Sequence, residues 1–119
     1  MELVNITDNN YAAFKQSERA VLVASTTWCP PCNLYKPVVQ AVADLMHNVT
    51  FGVAVLDIGR LGQFKREHPF PDLQVLPLTL GMTRGQEIFR LTGEYGLDIL
   101  VKELTTRFAS YQAGETAHN

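Results

Sequence analysis

The chain has 119 residues, 46% of them hydrophobic, and a formal net charge of −2. Such values suit one compact domain with its own core. No block of Lys and Arg marks an electrostatic nucleic-acid footprint, the Lys65-Arg66 pair reading as a solvated helix face, and no apolar run approaches the roughly 20 residues of a membrane-spanning helix.

Met1-Glu2-Leu3-Val4-Asn5 lacks the basic start and apolar centre of a secretory signal, so with Met1 as the natural start a cytosolic protein is expected. Leu3 to Ile6 reads as a short edge strand. Thr7-Asp8-Asn9-Asn10 offers several N-cap residues for a helix through Tyr11, Phe14 and Ser17. Ala20 to Ser25 is the first convincing strand, apolar almost throughout, as suits a strand covered on both faces. Trp28-Cys29-Pro30-Pro31-Cys32 follows, and from Asn33 to His47 the residues Leu34, Val38, Val42, Leu45 and Met46 recur at helical spacing, with Pro37 expected to kink the helix.

Val49 to Leu56 is the next buried strand, closing at Asp57. Leu61 to Glu67 forms a short helix, stopped by His68-Pro69-Phe70-Pro71. Leu76 to Leu80 resumes extended structure, Met82-Thr83-Arg84-Gly85 reads as a hairpin turn, and Gln86 to Leu91 alternates and pairs back. After Gly93, the spacing of Leu97, Leu100, Val101, Leu104 and Phe108 predicts a closing amphipathic helix. One domain over residues 1–111 and a polar, frayed tail over 112–119 complete the division. The order β-α-β-α-β-α-β-β-α predicts an α/β domain: a mixed central sheet of four to five strands, parallel early and closed by an antiparallel hairpin, with helices on both faces.

Both cysteines of the chain lie in one Cys-x-x-Cys. Two cysteines make no disulfide scaffold for a domain of this size, and strand, motif, helix is the setting in which this spacing reads as a redox site. Two buried structural thiols are the plain alternative. A closed zinc site needs four ligands, and no His or second Cys pair lies at ligand spacing; an iron–sulfur cluster would need two thiolates from a second chain. His47 and His68 stand at element ends and read as surface capping residues, Asp57 as a turn former. Tyr11, Phe14, Phe51, Phe64, Phe89 and Phe108 read as packing residues, and the sequons at Asn5 and Asn48 as chance matches.

With Trp28-Cys29-Pro30-Pro31-Cys32 after an apolar strand, Pro37 in the next helix, Leu76-Pro77 before the hairpin, the Arg84-Gly85 turn and Gly93 after the last strand, the chain resembles the thioredoxin family over residues 2 to 111. The resemblance implies a thioredoxin-like fold and a cis bond before Pro77, where an X-Pro bond taken by itself is cis in only about 5–6% of cases. It implies an apolar groove beside Cys29 lined by Trp28, Pro30, Pro31, Leu76, Pro77 and Gly93, with the Leu76 backbone offered to a substrate peptide. The implied activity is protein-disulfide reduction by Cys29 as nucleophile and Cys32 as resolving thiol, with no cofactor beyond the Cys29–Cys32 redox disulfide. The implied partners are disulfide-containing proteins and a flavin-dependent thioredoxin reductase acting on a monomer. A glutathione-coupled or oxidising exchanger, and a binding subunit indifferent to redox state, are the alternatives.

The nucleophile must be a thiolate, and an unperturbed cysteine has a pKa of about 8.5. A helix N-terminus lowers it through the dipole and free amides. Pro31 has no N–H at the second helical position, so the Cys32 amide is the donor left for Cys29. Cys29, nearer the open end, attacks the substrate disulfide; Cys32, one turn in and more buried, resolves the mixed disulfide. Members of the family usually carry a buried Asp six residues before the first cysteine, facing a Lys on the next strand. Val23 and Val55 hold those places here, and Asn33 stands where a Lys is common. Losing both charges together strands neither, and it predicts slower resolution by Cys32.

Overall fold

The computed structural model describes residues 2–69 and 73–118, with side chains through residue 111. Five strands form one sheet: β1 (Val4–Asn5), β2 (Ala20–Ser25), β3 (Thr50–Val55), β4 (Leu78–Thr83) and β5 (Gln86–Thr92), in spatial order β1-β3-β2-β4-β5. β1, β3 and β2 are parallel, and β4 runs antiparallel to both β2 and β5. Four helices join them: α1 (Tyr11–Lys15), α2 (Pro30–Leu45), α3 (Gly62–Glu67) and α4 (Leu97–His118). The expected order and mixed sheet are both present, with five strands and with β1 on an edge.

β2 explains why the sheet is covered on both sides. Its alternate residues divide between two clusters, Val21 and Val23 joining Tyr35, Val39, Leu100 and Leu104 from the α2–α4 side. Ala20, Leu22 and Ala24 join Tyr11, Phe14 and Phe64 from the α1–α3 side. A strand buried on both faces needs apolar residues at every position, which is how Ala20 to Ala24 reads. On the second side Glu67 ties α3 to α1. Tyr11 Oη donates to its Oε1 at 2.6 Å and Lys15 Nζ at 2.8 Å. Burial acts to raise the Glu67 pKa, but these hydrogen bonds outweigh it and hold the carboxyl below its ordinary range.

The hairpin turn is tighter than expected. Met82 and Thr83 belong to β4, and Thr83 pairs with Gln86 across a two-residue turn, Arg84-Gly85, with φ of 47° and 89°. Both left-handed positions match the twist of the flanking strands, and Gly85 adopts its own without steric cost. β4 starts at Leu78 rather than Leu76, so Leu76-Pro77 is an irregular entry to the strand. His68 departs from expectation in a different way. It is the C-cap of α3, as its position predicts, but it is buried instead of lying at the surface, 4.7 Å from the Phe64 ring with Nδ1 3.7 Å from Glu87. Phe70 and Pro71, expected to help stop α3, lie outside the described residues, and α4 is helical to His118.

Candidate active site

The site sits where β2 ends and α2 begins. Cys29 is the N-cap of α2 in extended conformation, with Pro30 and Pro31 as the first two helical residues. Prolines are well placed there because their missing amides would have no intrahelical partner. The amide they leave available is that of Cys32, and it donates to Cys29 Sγ at 3.3 Å. Cys29 also accepts from Asn33 N through its carbonyl at 3.1 Å. The two cysteines are joined as a disulfide with Cα atoms 5.2 Å apart. Pro37 lies inside α2, where it withholds an amide from the Asn33 carbonyl one turn earlier.

Exposure separates the sulfurs less than expected, since Cys29 is 7% and Cys32 5% exposed. What distinguishes them is the space each borders. Cys29 lines an outer cleft with Trp28, Pro30, Pro31, Leu73 and Leu76. Trp28 is 73% exposed, the largest exposed apolar surface in the described residues. The Leu76–Pro77 bond is cis, and the Leu76 carbonyl oxygen lies 3.9 Å from Cys29 Sγ. Pro77 is buried and accepts from Gly93 N at 2.9 Å, so Gly93 (φ 87°) reaches the site through Pro77. The structure therefore brings Trp28, Pro30, Pro31 and Leu76 round Cys29. Pro77 follows Leu76 across the cis bond and is tied through its carbonyl to Gly93.

Cys32 borders a different cavity, of about 220 Å³, whose walls combine Val23, Val53, Val55 and Tyr35 with the polar Ser25, Thr26 and Thr27 and the exposed Asn33 and Lys36. Val23 pairs in register with Val53, and Val55, two residues on, pairs with Ser25. The residue directly across from Val23 is thus Val53, and both it and Val55 are apolar. Tyr35 Oη shares a buried hydrogen bond with Thr79 Oγ1 at 2.9 Å, and burial pushes its pKa up to about 12, so it stays protonated at neutral pH. Asp57 acts on the loop before the motif. Its carboxylate accepts from Thr27 N at 3.0 Å and from the Thr27 hydroxyl. The Thr27 hydroxyl, and secondarily its amide, hold the Asp57 carboxyl below the usual range.

Three contributors escape sequence reading. Leu73 lies in the irregular segment before β4, and its place against Trp28 carries no periodic signal. Thr26 and Thr27 look like ordinary loop residues, yet Thr26 is 7% exposed and lines both the outer cleft and the inner cavity. No group of three or more His, Cys, Asp or Glu able to hold a metal occurs among the described residues.

No family model matches the chain. It is 29% identical over 85 residues to thioredoxin H2 of Arabidopsis thaliana, covering 71% of this chain and 60% of that protein. It is 30% identical over 104 residues to the bifunctional thioredoxin reductase/thioredoxin of Mycobacterium leprae, covering 86% of this chain and 22% of that protein. The chain thus spans less than two thirds of each of these relatives. The solved thioredoxin of Malassezia sympodialis superposes with a TM-score of 0.75 at 20% identity, over 89% of this chain and 90% of that one, which shows a shared fold.

Proposed function

We propose that this chain, which has the thioredoxin fold and thioredoxins among its sequence relatives, is a thiol–disulfide oxidoreductase that reduces protein disulfides. One observation carries the reading: a disulfide at a helix N-terminus, with one cysteine on an apolar cleft and the other on a separate cavity. In the reduced protein the Cys32 amide and the α2 dipole stabilise the Cys29 thiolate. That thiolate attacks one sulfur of a substrate disulfide and displaces the other substrate sulfur as a thiolate, forming a mixed disulfide. The Cys32 thiolate then attacks Cys29 Sγ, closing the Cys29–Cys32 bond and releasing the second substrate thiol. Trp28, Pro30, Pro31 and Leu76 form the apolar bed for the substrate peptide, and the Leu76 carbonyl beside Cys29 accepts a backbone amide from it. Pro77 and Gly93 hold that segment in place.

The disulfide left at the end needs an external reductant. We assign that role to a flavin-dependent thioredoxin reductase, a reading favoured by the relative whose name joins both activities in one chain. A monomer in the cytosol, where a dithiol is kept reduced, completes the proposal. Its test is the equilibrium of the Cys29–Cys32 couple with graded thiol buffers, paired with turnover of a protein disulfide by the reduced protein. A potential near about −270 mV with turnover supports a thioredoxin-type reductase; one near about −200 mV or above, or no turnover, overturns that assignment.

A further inference from the structure

Beside the cleft that Cys29 lines is a second pocket, of about 360 Å³, on the α3 side of Trp28. Thr26, Trp28, Leu73 and Leu76 line both spaces, so the two adjoin. Beyond these shared walls the pocket is bounded by Leu56, Asp57, Lys65 and His68, and Cys29 takes no part in it. The polar groups among these residues are already engaged. Asp57 accepts from the Thr27 amide and hydroxyl, and Lys65 Nζ donates to the Leu56 carbonyl at 2.9 Å. His68 lies on the Phe64 ring with Nδ1 towards Glu87. The Thr26 oxygen is shut off from solvent, so Thr26 offers carbon to the space and not its hydroxyl. What an occupant meets is chiefly the carbon surface of Trp28, Leu56, Leu73 and Leu76.

We propose that this pocket is a specificity subsite, filled by one bulky apolar side chain of the peptide whose disulfide Cys29 attacks. The inference rests on the oxidoreductase reading and adds a substrate class to it: protein disulfides with Leu, Ile, Met or Phe within three residues of the reacting cysteine. Continuity with the cleft identifies the occupant. A peptide hydrogen-bonded to the Leu76 carbonyl, with its cysteine at Cys29, runs along a residue that walls both spaces. In such extended binding the main chain supplies affinity and side-chain pockets supply selectivity. The tether also favours this occupant over a free small molecule, because a side chain on a docked peptide is presented at high effective concentration. A charged side chain would lose hydration against these walls and find the nearby polar groups already committed.

The test measures the second-order rate constant for attack by the reduced protein on a set of disulfide peptides. One residue at a time, within three positions either side of the cysteine, is varied among Ala, Leu, Phe and Lys. At one position Leu or Phe should react about 10- to 30-fold faster than Ala, with Lys no faster than Ala. Leu56→Phe, which narrows the pocket without touching the cleft, should bring that ratio towards one, and Leu56→Ala, which widens it, should shift the preference from Leu to Phe. Each ratio is taken within one protein, so a general loss of activity or stability cancels, and the two variants change the pocket in opposite directions. A ratio that neither variant alters overturns the proposal, as does an equal preference at every position, the mark of an unselective apolar cleft. Free indole bound at Leu56 with no peptide preference, or self-association of the chain lost in Leu56→Phe, gives the pocket another occupant and also overturns it. If the reduced parent protein attacks none of the peptides, the oxidoreductase reading itself fails, a result distinct from attack on all of them at one rate.

Discussion

The cleft outside the disulfide and the cavity inside it are built from the same short stretch of chain, yet they suit different tasks. The outer cleft is wide, apolar and edged by a Trp that leaves 73% of its surface to solvent. The inner cavity sets Val23, Val53, Val55 and Tyr35 on one part of its wall and the polar Ser25, Thr26, Thr27, Asn33 and Lys36 on another. Outside, the difficulty is to hold a partner; inside, it is to ionise a thiol in surroundings that oppose charge. The two sulfurs differ by only a few per cent in exposure, so the environment, more than depth, divides the labour between them.

The strongest way to break this division is to remove each sulfur in turn. Cys29→Ser should reduce disulfide turnover to background, whereas Cys32→Ser should still attack and then accumulate a mixed disulfide visible by intact-mass spectrometry. Equal accumulation in both variants would mean that the sulfurs are interchangeable and the comparison is wrong.

Val23→Asp tests the inner side. A carboxylate placed opposite Val53 has no partner, and an unpaired buried charge should cost about 3 kcal/mol or more in denaturant titration at neutral pH. Burial raises that Asp pKa in the folded state. The cost is therefore absent below the unfolded value of about 3.9 and grows as pH rises towards the folded one. The same carboxylate should speed resolution by Cys32, and an unchanged resolution rate would remove the link between the apolar cavity and a slow second step.

Trp28→Ala tests the outer side. Loss of one large exposed aromatic from the cleft should raise KM for a protein substrate by about 10-fold, the scale of an interface aromatic, while leaving the resolution rate of a preformed mixed disulfide as it was. The smallest effect is expected at Asp57, whose contact with Thr27 orders the loop between the two spaces. Its folded pKa is depressed, so its contribution is present above the unfolded value and is lost as pH falls through the folded one. Asp57→Asn should flatten that acid limb of a thermal-stability profile.

Much of this comparison was legible in the residues, for physical reasons that differ from place to place. The Cys32 amide as donor to Cys29 follows from chemistry alone, since Pro31 has no N–H. The central position of β2 follows from a run with no polar residue between Ala20 and Ala24. β4 begins two residues after the extended run at Leu76: Leu76-Pro77 is apolar, and apolarity does not distinguish a strand from the irregular segment that enters it. The expected turn at Met82 to Gly85 was too wide because the strands continue to Thr83 and Gln86, leaving only Arg84 and Gly85 between them. Thr26 was invisible for a deeper reason. Whether a hydroxyl at the end of a strand meets water or the interior depends on α2, β3 and the segment before β4 together, and no local pattern records that.

The pairing of Ala24 with Leu78 has a consequence for how the protein acquires its site during folding. The stretch ending in Cys29 and the one carrying Leu76 are far apart along the chain and become neighbours only when β2 and β4 align. Closing so long a loop is entropically costly and forms slowly compared with local helix or hairpin structure. A chain with α2 already wound would therefore hold both cysteines at its N-terminus but lack the wall that receives a partner. Competence to engage a substrate peptide should report assembly of the whole sheet, which makes the docking of such a peptide a probe of complete folding that the presence of the disulfide is not.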